Sequence, residues 1–273
     1  METKVVSSHV FDQAIALEPQ ADGTFTGHTS AAYANMVGPF GGVTAAQVMN
    51  AVLLHPQRLG DPVSLTINFA AALSHAPFVI DARAARTNRS TQHWVIEVRQ
   101  DGETVITATA FTALRRDTWG VDEDAMPVCP PPQDVPMGDG PMPIEWVKRY
   151  EMRPVAGAMP TVWDGSGDSS LTQLWLRDNP PRPLDFASLT ALADVFFPRV
   201  FVRRATLVPI GTVTMTIYFH ADASQLAASG MGYLMGQARA QAFRNGYFDH
   251  TAQLWSEAGI LLATTQQLVY YKN

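Results

Sequence analysis

Cysteine and long apolar runs are nearly absent from this chain of 273 residues. The single cysteine, Cys129, lies in a predicted loop with prolines on both sides, so no disulfide can form within the chain. No stretch approaches the roughly 20 apolar residues that a membrane span needs, and the N-terminal residues lack the apolar run of a signal peptide. These absences predict a cytoplasmic protein without a membrane partner.

Positive charge is also scarce. The 25 Asp and Glu residues outnumber the 19 Lys and Arg, which gives a net charge of −6, and no basic cluster stands out. This composition argues against a nucleic-acid partner. The seven histidines include no pair at i, i+4 spacing and have no cysteine partner, so no metal is expected. The glycines of residues 230–236 lack the spacing and βαβ context of a dinucleotide loop, and we expect no cofactor.

Apolar residues, by contrast, make up 47% of the chain, which is enough for a large buried core. A segment rich in Pro, Gly and Asp, residues 117–143, divides the chain almost in half and is typical of a linker. We therefore predict an N-terminal domain over residues 1–116 and a C-terminal domain over residues 144–273.

The two halves share a weak internal repeat. The stretch "LTINFAAA" (residues 65–72) resembles "MTIYFHADA" (residues 215–223) at an offset of 150, and later positions match at an offset of 157. Chance could supply a few identities in a composition this rich in Ala and Thr, but the order of the predicted elements agrees as well. We expect a duplicated unit.

Each half is expected to form an apolar helix followed by about four long antiparallel strands, with a tight hairpin turn at Asp101-Gly102. In the first half the helix spans residues 41–54, and the strands lie near residues 63–73, 77–87, 91–100 and 103–114. In the second half the helix spans residues 183–198, and the strands lie near residues 211–221, 231–243, 247–256 and 260–271. One helix per antiparallel sheet predicts an α+β fold in which two curved sheets each wrap a central helix.

Three short motifs follow one another in the order of a known family. They are "GPFGG" (residues 38–42) at the start of the first helix, "ALADVFFP" (residues 191–198) in the second, and "GILLATTQQ" (residues 259–267) in the last strand. With them the chain resembles the double-hotdog acyl-CoA thioesterases of the TesB type, over roughly residues 10–115 and 145–271.

The resemblance implies an enzyme that hydrolyses an acyl-CoA to free acid and CoA. On the matching positions, Asp194 would activate a water molecule, assisted by Thr212 and Gln267. The surrounding sequence differs enough from the family to leave the acyl group and its carrier open. Two fused hotdogs mimic a dimer of single ones, and exposed sheet edges favour further association into a homo-oligomer.

The chemistry of the second helix supports a special role for Asp194. Asp185 lies at the helix start, where a carboxylate caps free N–H groups and suits the helix dipole. Asp194 lies late in the predicted helix among apolar residues, near the negative end of the dipole. Both features disfavour the carboxylate, so we expect a raised pKa, in the range of a general base. The alternative is an Asp on an exposed stripe of the helix.

The last strand contains two adjacent glutamines, and only one of them can face the helix. Side chains alternate along a strand, so Gln267 shares one face with Thr265 while Gln266 shares the other with Thr264. Gln267 can donate and accept hydrogen bonds, and it could hold a water against Asp194. We expect Gln266 to face solvent or a neighbouring sheet.

The repeat provides an internal comparison for Asp194, Thr212 and Gln267, which we call the polar trio. Pro62 stands opposite Thr212 in the first copy, Ala110 stands opposite Gln267, and residues 37–59 contain no Asp or Glu. A duplicated unit with one surviving active site would show this asymmetry. Drift in a purely structural protein could produce it too.

Five further residues are candidates for substrate binding. Gly41 and Gly42 open the first helix, where backbone N–H groups could bind an oxyanion, although a tight turn into a packed helix explains them equally well. Arg86 and Arg89 could meet the phosphates of coenzyme A, or could be solvated residues of a hairpin end. Phe196 could line an acyl tunnel or belong to the core.

Two other functions compete with hydrolysis. Enoyl-CoA hydratases with this fold use an Asp followed five positions later by His, and here Arg199 follows Asp194 at that spacing. Hydration is therefore disfavoured. A protein that binds an acyl group or acyl-CoA without catalysis stays an alternative.

Overall fold

The structure is a computed structural model that describes residues 8–138 and 144–272. The α-helices are α1 (Val10–Ala14), α2 (Gly41–Leu54), α3 (Phe186–Leu192), α4 (Arg199–Arg204) and α5 (Ala223–Ser229). The strands of the first half are β1 (Leu17–Pro19), β2 (Phe25–His28), β3 (Asp61–Phe69), β4 (Pro77–Thr87), β5 (Thr91–Gln100) and β6 (Glu103–Ala113). Those of the second half are β7 (Tyr150–Ala156), β8 (Thr172–Asp178), β9 (Ile210–Phe219), β10 (Leu234–Arg239), β11 (Phe243–Arg244), β12 (Tyr247–Ser256) and β13 (Leu261–Tyr271). Short 3₁₀ turns cover Ala31–Tyr33, Pro132–Asp134 and Glu145–Arg149.

All the described strands belong to one antiparallel sheet. Their order is β1-β2-β4-β5-β6-β3-β9-β13-β12-β10-β8-β7, with β11 paired to β12 at one side. The two sheets predicted from the sequence are therefore joined edge to edge through β3 and β9. This pairing covers one edge of each half, which would otherwise expose unpaired backbone groups.

The β3 and β9 junction carries the local twofold axis of the repeat. Thr66 pairs directly with Thr216, and their hydroxyl oxygens are 3.1 Å apart. On either side, Ser64 pairs with Tyr218 and Asn68 with Thr214. An offset of 150 relates Ser64 to Thr214 and Asn68 to Tyr218, so equivalent residues exchange places across the junction. A twofold contact between two copies of one unit has this register.

The two central helices are buried and pack against each other under the sheet. Helix α2 is apolar on nearly every side, and Val48, Met49 and Val52 are fully buried. Asp185 caps the start of helix α3, and its side chain accepts a 2.8 Å hydrogen bond from the Ser188 N–H, as the capping prediction requires. No helix in the described residues is long and apolar enough to cross a bilayer.

Three of the predicted strands of the first half agree closely with the structure, whereas the strand expected near residues 63–73 begins earlier and ends at Phe69. The turn at Asp101-Gly102 has the positive φ angles of +54° and +85° expected of a two-residue hairpin. The second half differs in one strand. The strand expected over residues 231–243 is reduced to β10, which spans only Leu234–Arg239.

The predicted linker has no helix or strand over residues 114–131. Met126 and Cys129 pack against Trp175 and Trp255 on the second half of the sheet, so this segment is attached to the fold. Residues 139–143 of the predicted linker lie outside the described residues. The domain limits at residues 116 and 144 stay a prediction.

Candidate active site

Asp194 lies just beyond the helix in which it was predicted. Helix α3 ends at Leu192, Ala193 caps it, and Asp194 follows in a turn before α4 begins at Arg199. The prediction of one helix over residues 183–198 was therefore wrong at both ends. The N-terminal end starts later because Asp185 caps the helix. The C-terminal end stops earlier, and the side chain thereby reaches the N-terminus of α2 in the other half of the chain.

Two donors hold the Asp194 carboxylate. The Gln267 amide Nε2 donates to Asp194 Oδ1 over 2.8 Å, and the backbone N–H of Gly42 donates a second hydrogen bond. Gly41 allows this approach because a Cβ atom added there would lie 2.8 Å from Asp194 Oδ2. The first helix of the N-terminal half thus helps to position the acid of the C-terminal half.

The pKa of Asp194 is raised to about 7, in the predicted direction. Burial is the main cause, and the hydrogen bonds from Gln267 and Gly42 oppose it. The sequence argument considered only the negative end of α3, which disfavours the ionised carboxylate. Asp194 also lies at the positive end of α2, which favours it. The desolvation of the carboxylate outweighs these favourable contacts.

Strand alternation separates the two glutamines as predicted. Gln267 is 4% exposed and faces the helices, whereas Gln266 is exposed on the outer face of the sheet. Besides its bond to Asp194, Gln267 Nε2 lies 3.5 Å from Met215 Sδ. The amide oxygen of Gln267 forms no hydrogen bond with the described residues, so it is available to a water molecule.

A β-bulge turns Thr212 onto the inner face of the sheet. Val269 pairs with Thr212 while the preceding Leu268 pairs with Thr214, so Val213 is an extra residue in β9. Met215 and Ile217 face the core, and regular alternation would place Thr212 on the outer face. The bulge reverses this orientation, and Thr212 lines the same cavity as Asp194 and Gln267.

The first copy has the same bulge without the same chemistry. Pro62 pairs with Thr112 and Ser64 with Phe111, so Val63 is the extra residue at the position equivalent to Val213. Pro62 therefore occupies the place of Thr212. Ala110 pairs with Leu65 as Gln267 pairs with Met215. The shared bulge supports the duplication, and only the second copy carries the trio.

A cavity of about 390 Å³ lies beside the trio, within the size range of small-molecule sites. Aromatic rings form part of its wall: Phe40 stacks on Trp146 with centroids 4.3 Å apart, and Phe69 and Phe197 are further members. Trp146 follows the predicted linker and was not identified from the sequence. An isolated Trp in a short 3₁₀ turn shows no periodicity that would have revealed it.

Phe196 lines the cavity and is 5% exposed. Gly236 on β10 makes room for it, because a Cβ atom added there would lie 2.7 Å from the tip of the Phe196 ring. The structure thus places Phe196 both in the core and at the cavity wall, so the two alternatives considered for this residue are compatible.

Arg86 and Arg89 are not near the cavity. They lie at the β4–β5 hairpin, level with Ala113 of β6, whereas the cavity is lined by Ile106 at the opposite end of that strand. Arg86 Nε donates to Asn88 Oδ1 over 3.1 Å within the hairpin. A contact between these arginines and coenzyme A phosphates stays a prediction.

The described residues contain no group of three or more His, Cys, Asp or Glu side chains that could hold a metal ion. Asp194 has an amide and a backbone N–H as its partners, and both are hydrogen-bond donors. Donors of this kind suit a carboxylate that acts on a water or a proton.

Comparison with known proteins agrees with this architecture. Two family models match, the acyl-CoA thioesterase N-terminal domain over residues 30–113 and the acyl-CoA thioesterase C-terminal domain over residues 124–271. A solved structure from Alicyclobacillus acidocaldarius, described as a conserved protein of unknown function with a hot dog fold, is 50% identical, with a TM-score of 0.93 over 97% of this chain and 99% of that one. The acyl-CoA thioesterase II TesB2 from Mycobacterium marinum has a similar fold at 18% identity, with a TM-score of 0.77 over 96% of this chain and 98% of that one. A search of curated proteins found no match.

The fold is a double hotdog, as predicted, with an acid, a hydroxyl and an amide beside one aromatic cavity. The two family matches together cover most of the chain. The chain therefore belongs to the acyl-CoA thioesterase family, whose members are thioester hydrolases.

Proposed function

We propose that this protein hydrolyses an acyl-CoA to a free acid and CoA, using a water molecule that Asp194 activates. The observation that carries the proposal is the 2.8 Å contact between Gln267 and Asp194 beside the cavity. A buried carboxylate with a pKa of about 7 is half ionised near neutral pH, as a general base requires.

The proposed water lies between the three side chains. It donates one proton to Asp194 and the other to the free amide oxygen of Gln267, and it accepts a hydrogen bond from the Thr212 hydroxyl. This arrangement directs a lone pair of the water toward a thioester carbonyl in the cavity. Orienting the nucleophile in this way removes much of the entropic cost of the reaction.

The rate should depend on pH through Asp194. Because the base must be ionised, kcat/KM is expected to rise about tenfold per pH unit below the pKa and to level off above it. The midpoint is expected near pH 7, where burial places the pKa of Asp194. Thiol release measured from pH 5 to pH 9 tests this expectation, and a rate that is flat down to pH 5 would exclude Asp194 as the base.

The adjacent glutamines form a matched pair for testing the site. Gln267→Leu keeps the volume of the side chain but removes the donor to Asp194 and the acceptor for water, so kcat is expected to fall about 100-fold. The hydrogen bond from Gln267 lowers the pKa of Asp194 in the wild type. Its loss should therefore raise that pKa and move the acid limb of the pH profile to higher pH. Thiol release from a panel of acyl-CoAs measures both effects.

Gln266→Leu is the control, since this side chain is exposed on the outer face of the sheet. Its kcat should equal that of the wild type within about twofold. The same decrease in both variants would show that the effect comes from the strand and not from the site. Binding of acyl-CoAs without any thiol release by the wild type would instead favour the non-catalytic alternative.

A further inference from the structure

His250 is a cavity residue for which the proposed reaction has no role. It is 2% exposed on β12 and lies directly opposite Gln267 of β13. Its Nε2 atom is enclosed without a hydrogen-bond partner among the described residues, and Nδ1 forms no hydrogen bond with them either. An unpaired buried polar group costs free energy, so a ligand that pairs with the imidazole would recover that cost.

The first copy fills the equivalent position differently. Trp94 pairs with Ala110 as His250 pairs with Gln267, so Trp94 and His250 correspond. The indole N–H of Trp94 donates to the Thr112 hydroxyl over 3.2 Å and is therefore satisfied. The copy without the polar trio has a satisfied aromatic side chain here, and the copy with the trio has an imidazole with no partner.

The position of His250 brings it close to the reacting atoms. Directly opposite residues on antiparallel strands have Cβ atoms about 5 Å apart, and Gln267 in turn contacts Asp194. The imidazole packs edge to face on Phe196, with centroids 5.8 Å apart, and lines the same cavity. The backbone N–H of Gly42, one of the predicted oxyanion donors, faces Asp194.

We propose that His250 is a catalytic residue that donates an N–H hydrogen bond to the carbonyl oxygen of the thioester. This inference rests on the proposed function. The water oxygen bonds to the carbonyl carbon, its proton passes to Asp194, and the carbonyl π electrons move onto the oxygen. His250 binds this oxyanion and keeps its own proton. When the C–S bond breaks, the sulfur takes the electron pair and receives the proton from Asp194.

The surroundings keep His250 neutral. Burial, and secondly the guanidinium of Arg199, hold the pKa of His250 well below its usual 6.5. Arg199 is itself fully buried and donates to the carbonyl of Ser170 over 3.0 Å. A neutral imidazole carries one N–H, which can polarise a carbonyl without protonating it.

Two substitutions distinguish a hydrogen-bond donor from a packing residue. His250→Phe keeps an aromatic ring against Phe196 but removes the N–H, and we expect kcat to fall about 100-fold with little change in KM. His250→Gln restores an N–H donor and should keep at least about ten times the kcat of the Phe variant. Equal kcat in the wild type and in His250→Phe would overturn the proposal.

A spectroscopic measurement tests the same bond without turnover. The probe is the dethia analogue of acetyl-CoA, which has a methylene in place of the sulfur and a ¹³C-labelled carbonyl. Bound to the wild type, its carbonyl stretching frequency should be lower than when bound to His250→Phe, and equal frequencies would refute the hydrogen bond. Because this readout needs only binding, a wild type that releases no thiol would reject the proposed function while the frequency still reports on His250.

Discussion

Asp194→Asn is expected to lower kcat for thiol release by about 10³-fold and to leave KM nearly unchanged. Asparagine keeps the size of the side chain, and its oxygen can still accept from Gln267. It cannot take a proton from water at any pH near neutrality, so the loss falls on the chemical step. Steady-state kinetics on the best acyl-CoA of the panel measure the change.

Stability provides the control for this variant. Burial raises the pKa of Asp194 in the folded state from 3.8 to about 7, so the native carboxylate destabilises the fold progressively as pH rises from 4 to 7. Asp194→Asn should therefore be more stable than the wild type at pH 8, by about 4 kcal/mol in urea unfolding, with most of the difference gone at pH 4. An inactive but destabilised variant would point to misfolding, and a variant with wild-type kcat would remove Asp194 from the mechanism.

Gly41→Ala is expected to lower kcat by about 10- to 100-fold while leaving the fold intact. The added methyl group would lie 2.8 Å from Asp194 Oδ2, closer than such atoms approach, so the carboxylate must move by several tenths of an ångström. Gln267 and Gly42 restrict that movement from the other side. Alanine is a better helix former than glycine, so α2 itself should not be weakened.

Gly120→Ala is the matched control, because nothing lies within 4 Å of the added atom. It should leave kcat unchanged within about twofold. A double-mutant cycle completes the test: in the Asp194→Asn background, Gly41→Ala should have little further effect. If the fold decreases in kcat of the two single variants instead multiply in the double variant, Gly41 acts on something other than Asp194.

Much of the architecture could be predicted from the sequence because strand periodicity and turn residues are local signals. Alternation predicted correctly that Gln267 faces inward and Gln266 outward. Composition also located the first helix over residues 41–54, which is its observed extent. The offset of 150 between Thr66 and Thr216 predicted a duplicated unit, but not the pairing of β3 with β9 that joins the two sheets.

The features that the sequence did not reveal depend on contacts between distant segments. The inward orientation of Thr212 requires a bulge at Val213, and a bulge leaves no reliable pattern in one strand. Helix α3 ends at Leu192, and just beyond it Asp194 contacts Gly42 in the other half. His250 was passed over because an isolated histidine in a strand carries no motif. Its significance comes from its position opposite Gln267.

A direct titration of the Asp194 carboxyl tests the central claim most sharply. With ¹³C-labelled aspartate, the carboxyl resonance that disappears in Asp194→Asn is expected to titrate with a midpoint near 7. The acid limb of kcat/KM should have the same midpoint, and both should rise together in Gln267→Leu. A carboxyl that titrates near 4, or a midpoint unrelated to the rate profile, would contradict the assignment of Asp194 as the base.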